Sequence, residues 1–249
     1  MSSNIPPSHP RYESLMMREK IAKSFHKGLV HETGLIAHGR GEAFDYLIGE
    51  KTIPIADQAA KTAAAVLLLA KHPVISVNGN VVALVAKEIV SLAEKIPSLI
   101  EVNLFHRTKE RVFHLISQME SSGGKNVLGA HAQARINGLS HNRGWCEKEG
   151  IFSADVVLVP LEDGDRCQAL RQMGKTVITI DLNPLSRTAK TADVTIVDNI
   201  VRSIPRICFW VDELKNYSLA DLKKIQDYWE NKKALDNVLA FICSKVQKD

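Results

Sequence analysis

ADVVLVP (Ala154–Pro160) is an almost unbroken apolar run, and TVITI (Thr176–Ile180) repeats its character after one intervening helical pattern, Arg166–Met173. Short β-branched runs without polar alternation are the mark of strands buried on both faces. Working outward, Val74–Val77 is a third such run, followed by a helical pattern over Val81–Lys95. Leu99–Leu104 reads as a strand, Thr108–Met119 as a helix, Val127–Leu128 as a weak strand and Val194–Val197 as a last one. Strands alternating with helices predict an α/β chain: a Rossmann-like, mostly parallel sheet with helices on both faces.

The flanks read as helical. Ser8 can cap a helix that runs through Arg11–Leu29, with Leu15, Ile21 and Phe25 at near-helical spacing. Asp57–Lys71 is rich in Ala and Leu, and Ile200–Asn216 and Leu219–Val246 are amphipathic. Residues 1–249 are expected to form one α/β domain, with an N-terminal helical segment (1–72), a core (73–198) and C-terminal helices (199–249). The segment Ala130–Gly150 is polar and irregular.

Apolar residues make up 45% and charged residues 24%, and the net charge is +4. These values suit a water-soluble globular protein with a mild preference for anions. No sharp basic stripe points to nucleic acid. The longest apolar run, Ala63–Ala70, falls well short of a membrane span. The amino terminus, Met1–Pro10, is polar and Pro-rich without the apolar core of a signal peptide. Cys146, Cys167, Cys208 and Cys243 lie far apart and form no CxxC pair, so reduced thiols in a cytoplasmic protein are expected.

In an open parallel sheet, ligands collect beyond the carboxyl ends of strands. Four such ends carry polar sequence here: Asn78-Gly79-Asn80, Asn103 and then Arg107, Glu162-Asp163-Gly164-Asp165-Arg166, and Asp181-Leu182-Asn183-Pro184-Leu185-Ser186-Arg187-Thr188. The last can offer a carboxylate or amide to ribose and Arg187 to phosphate; a turn with a helix cap is the alternative. Gly39-Arg40-Gly41, flanked by His38 and Glu42, suggests a tight loop that projects Arg40 at phosphate, or else a surface hinge. The acidic loop at Asp163 either holds Mg²⁺ or caps a helix. His9, His72 and His141 lie in polar contexts and read as surface groups. GxxxxGK[ST] and GxGxxG signatures are both absent.

The stretches SHPRYESLMMREKI (Ser8–Ile21), GLIAHGRGEAFDYLIGE (Gly34–Glu50), PVISVNGNVVALV (Pro73–Val85) and EVNLFHRTKERV (Glu101–Val112) resemble the archaeal 4-phosphopantoate–β-alanine ligase (phosphopantothenate synthetase) family. So do ADVVLVPLEDGDR (Ala154–Arg166), ITIDLNPLSRTA (Ile178–Ala189) and TIVDNIVRSIPR (Thr195–Arg206). The resemblance implies joining of 4-phosphopantoate to β-alanine in coenzyme A synthesis, with ATP and Mg²⁺, release of AMP and pyrophosphate, and a homodimer. It implies ATP contacts at Arg18, Arg40, Asp181, Leu182, Asn183, Arg187, Thr188, Asn199 and Ile200. Within that chemistry, Arg40 and Arg187 would stabilise phosphate charge. His38, Glu42 or Asp163 would accept a proton from the amine. Asn78 and Asn80 would face substrate, and Arg107 or Arg166 would grip the 4-phosphate. A nucleotide-dependent oxidoreductase and a non-catalytic nucleotide- or RNA-binding module are the competing readings.

Overall fold

The computed structural model describes residues 5–247; the remaining terminal residues, including the start of Met1–Pro10, lie outside it. Five strands form one sheet: β1 (Pro73–Val77), β2 (Leu99–Val102), β5 (Val156–Leu158), β6 (Thr176–Ile180) and β7 (Val194–Ile196), in the order β2-β1-β5-β6-β7. All four pairings are parallel, with Ile75 opposite both Ile100 and Leu158. The chain winds outward from β1 to β2, then reverses and fills in on the other side. The reversal lies between β1 and β5, where loops diverge and leave a crevice.

Side chains alternate across this sheet. Ile75, Val77, Ile100, Val102, Leu158, Ile178 and Ile180 share one core with α3 (Pro54–Leu69), α4 (Gly79–Lys95), α5 (Lys109–Ser121) and α8 (Ile200–Leu214). Val74, Val157, Val159 and Val177 face the other way. They pack against α6 (Gly164–Gln172) and apolar residues of the irregular segment, such as Ile136, Leu139 and Ile151. Helix α3 is buried around most of its circumference, as an Ala-rich helix can be, and packs on α8. Helix α8 meets it with Ile200, Ile204, Ile207, Val211 and Leu214, a stripe of alternating three- and four-residue steps.

The irregular segment contains one short antiparallel pair, β3 (Ala134–Arg135) with β4 (Trp145–Cys146). Val127–Leu128 contributes only a single bridge, Glu101 to Leu128, instead of a strand. The amino-terminal helix α1 (Tyr12–His26) buries Ser14, Met17, Ile21 and Ser24; Leu15 is half-buried and Phe25 is exposed, so the packed stripe is rotated from the expected one. The carboxyl-terminal stretch divides into α9 (Leu219–Asp227) and α10 (Asn231–Val246). The four cysteines are free thiols. No helix of the described residues is long and apolar enough to cross a membrane.

One correction bears on the site. Gly39-Arg40-Gly41 is not a loop but the middle of α2 (Glu32–Ile48), which ends at Gly49 with φ +90°. Glycine is costly inside a helix, so packing must compensate. At Gly34 the reason is plain: a Cβ there would lie 2.4 Å from Asn80 Oδ1, so glycine lets α2 close onto the start of α4. Arg40 thus stands on a rigid helix.

Candidate active site

A cleft of about 730 Å³ opens at the β1/β5 reversal, where the amino ends of α4, α6 and α8 meet one side of α2. Asn78 shapes its floor. Its Oδ1 accepts from the backbone N–H groups of Asn80 and Val81 at 3.1 and 3.2 Å and caps α4. Its Nδ2 donates to the carbonyls of Pro160 and Leu161 at 3.3 and 3.1 Å. Leu161 holds φ +56°, a conformation costly for a residue with a Cβ. Asn80 Nδ2 donates to the Gly34 carbonyl at 2.9 Å. Both asparagines therefore line the cleft while binding loop and helix together.

The loop after β6 is self-supporting. Asp181 accepts from Asn183 N–H at 2.9 Å and from the Ser186 hydroxyl, and burial raises its pKa against those donors. Asn183 Oδ1 accepts from Leu185 N–H at 2.9 Å. Ser186 caps α7 (Arg187–Thr191), and the buried Thr188 hydroxyl donates to the Glu162 carbonyl. Of this loop, Leu182 and Arg187 reach the cleft. Asn199 caps α8 at the opposite wall; its Nδ2 donates to the buried carboxylate of Asp45 at 2.8 Å, and Ile200 lies beside it. The amino ends of α4, α6 and α8 give this wall a positive potential suited to an anion.

The chain has twelve arginines. Ten donate to a carboxylate or a carbonyl: Arg18 to Glu42 at 2.8 Å, Arg206 to Asp57, and so on. The two whose guanidinium groups have no such partner among the described residues are Arg40 and Arg187, and both line this cleft. Arg187 crosses in front of Gly164, where a Cβ would approach its side chain to 2.7 Å.

The proton-transfer candidates differ in character. His38 is largely buried, its Nε2 has no hydrogen-bond partner, and desolvation lowers its pKa. It is a neutral imidazole at neutral pH. Burial works to raise the Glu42 pKa, but donation and charge from Arg18 and Arg11 outweigh it and hold the carboxyl below its usual range. Glu42 is thus a committed anion and a weak base. Asp163 occupies the N-cap position of α6 without capping it; its carboxylate instead takes Arg143 Nη1 at 2.7 Å. Among the described residues, no group of three His, Cys, Asp or Glu side chains could hold a metal ion.

Arg107 and Arg166 lie elsewhere. Arg107 donates to the Gly129 carbonyl. Arg166 is fully buried beneath the site, paired with Glu162 and bonded to Ser76 Oγ at 3.3 Å. Conversely, sequence reading passed over His31, His106, Arg111 and Arg143, all of which line the cleft. His141 also departs from a free surface role, since it meets Asp165 at 2.9 Å beside the acidic loop.

Comparison with known proteins identifies the family of the chain. The chain is 54% identical over 246 residues to a 4-phosphopantoate–β-alanine ligase of Thermococcus kodakarensis, covering 98% of this chain and 94% of that protein. It is 53% identical over 245 residues to the enzyme of the same name from Thermococcus onnurineus, with the same coverage. The ligase of Methanosarcina mazei is 51% identical over 240 residues, covering 96% and 94%. Residues 55–245 match the phosphopantothenate/pantothenate synthetase family. The chain belongs to the phosphopantothenate/pantothenate synthetase family.

Proposed function

We propose that this protein is a cytoplasmic, ATP-dependent ligase that condenses 4-phosphopantoate with β-alanine to give 4′-phosphopantothenate, AMP and pyrophosphate, in coenzyme A biosynthesis. The relatives' names support the substrates. The observation that carries the nucleotide part is the pair Arg40 and Arg187, the two guanidinium groups without a carboxylate or carbonyl partner among the described residues, both on one cleft.

A carboxylate is a poor acyl donor, so it must first be activated. A pantoate carboxylate oxygen attacks the α-phosphorus of ATP, pyrophosphate leaves, and an acyl-adenylate forms. The β-alanine nitrogen then attacks the acyl carbon, AMP leaves with the electron pair of the C–O bond, and the ammonium-like nitrogen sheds a proton. Arg40 and Arg187 counter the phosphate charge in both steps, and the amino ends of α4, α6 and α8 add to it. The neutral, unpartnered Nε2 of His38 receives the amine proton. Glu42 keeps Arg18 and Arg11 in place at the rim.

Mg²⁺ bound to the triphosphate would neutralise charge and align it for attack. The donor set fits an ion carried mainly by phosphate oxygens, with Asp163 or Asp165 as the carboxylates on the α6 side of the cleft. The family resemblance extends the reading to a homodimer, and the scattered charge and short apolar runs argue against nucleic acid or membrane as partner. The test is direct: purified protein with ATP, Mg²⁺, 4-phosphopantoate and β-alanine should release AMP and pyrophosphate one-for-one with amide, and omission of either acid should stop it. Release of ADP, or AMP without amide, would overturn the reading.

A further inference from the structure

With Arg107 and Arg166 engaged outside the cleft and Arg143 neutralised by Glu162 and Asp163, the substrate's phosphate needs other donors. The cleft has a second basic pole at the amino end of α2. His31 and His106 stack there with ring centroids 3.8 Å apart and planes inclined by 13°. Arg111 lies with them on the same wall. Its guanidinium donates to the backbone carbonyls of His106 and Leu29, fixing both loops, and it has no carboxylate partner among the described residues.

We infer that His31, His106 and Arg111 form a phosphomonoester subsite that holds the phosphate of the acid substrate, at the amino end of α2, whereas Arg40 stands at the middle of that helix. This rests on the function proposed above. Three arguments carry it. First, His31 Nδ1 accepts from the Thr33 N–H at 3.3 Å, which puts the proton of the neutral ring on Nε2, free to donate. Second, among the described residues the two stacked rings and the Arg111 guanidinium have only the exposed Glu32 beside His31 as a nearby carboxylate, so an anion is the natural complement. Third, α2 sets the spacing. His31 and Arg40 are nine positions apart, about 13 Å at an α-helical rise. A short acid with its phosphate at the end remote from its carboxylate, seated on the histidine pole, directs that carboxylate along the cleft toward Arg40, in a cleft that His38 also lines.

The experiment uses two variants that should fold. His106 is exposed, so His106→Ala removes only its ring. His31→Asn keeps a good N-cap and loses the imidazole. Each should raise KM for 4-phosphopantoate at least tenfold and leave KM for ATP and β-alanine, and kcat, within about twofold. Unphosphorylated pantoate, used as a poor substrate, should react equally with wild type and variants. An unchanged KM for 4-phosphopantoate, or a shift that falls instead on ATP or β-alanine, overturns the subsite. If the wild-type protein makes no amide, the function fails but the subsite can still be judged. Titration with inorganic phosphate should move the NMR ring signals of both His31 and His106, and unmoved signals reject it.

Discussion

The side-chain amide of Asn78 donates to the main-chain carbonyl of Leu161 at 3.1 Å, joining the end of β1 to the end of β5 across the reversal that creates the cleft. The same residue caps α4 through its other atom. Asn78→Ala should remove cap and clamp together and destabilise the protein by about 2 kcal/mol. Asn78→Asp keeps the cap acceptor, loses the donor and should cost less. Urea unfolding of both variants checks this; equal losses would assign all of the effect to one half of the side chain.

The guanidinium groups of Arg40 and Arg187 have no carboxylate or carbonyl partner among the described residues, so removing either leaves no buried group stranded. Arg40→Ala and Arg187→Ala should unfold within about 0.5 kcal/mol of wild type. Their kcat/KM should fall on the order of 10²-fold. Arg187→Lys should recover only part of this, because an ammonium cannot present a planar fork to phosphate. Wild-type kinetics in either alanine variant would take that residue out of the mechanism.

A base must be unprotonated to accept the amine proton. Desolvation lowers the His38 pKa from 6.5, so the acid limb of the kcat/KM profile should lie below that pH and the rate should be level above it. His38→Gln should lower the rate and remove the limb. A limb that stays in the variant belongs to substrate phosphate or another group.

The buried strands were readable because nothing but a two-sided core tolerates TVITI, and β6 coincides with it, Thr176–Ile180. The strand-end loops were readable because Asn78, Ser186 and Asn199 are capping residues that do cap. Helix α2 was hidden by its glycines: their local cost is visible in sequence, while the contact of Gly34 with Asn80 that offsets it exists only in three dimensions. The histidine pole was hidden for a related reason. His31 and His106 are isolated residues with no spacing signature, and only the packing of two loops stacks them. Arg166 misled in the opposite sense, since an arginine at the end of a polar strand-end sequence turned inward from the first turn of α6 to Glu162.

Glu101 offers a test of the fold apart from catalysis. It sits fully buried on β2, where Oε1 and Oε2 accept from the N–H groups of Glu147 and Ile151 at 2.9 and 2.7 Å and hold the irregular segment to the sheet. Burial pushes its carboxyl up to about 7, against the pull of those donors. Its folded-state pKa therefore lies above the unfolded value, so the folded chain binds the extra proton between about pH 4.5 and 7. The contribution of this group is complete below pH 4.5 and drains away as pH rises through 7, by about 3 kcal/mol in all. Glu101→Gln carries no titrating proton, so the difference in unfolding free energy between wild type and variant should drift by that amount across the window. It should shift steadily in favour of the variant as pH increases, read by urea unfolding at half-unit intervals. A difference that stays constant from pH 4.5 to 7.5 would mean that the two backbone donors outweigh burial and keep Glu101 ionised throughout.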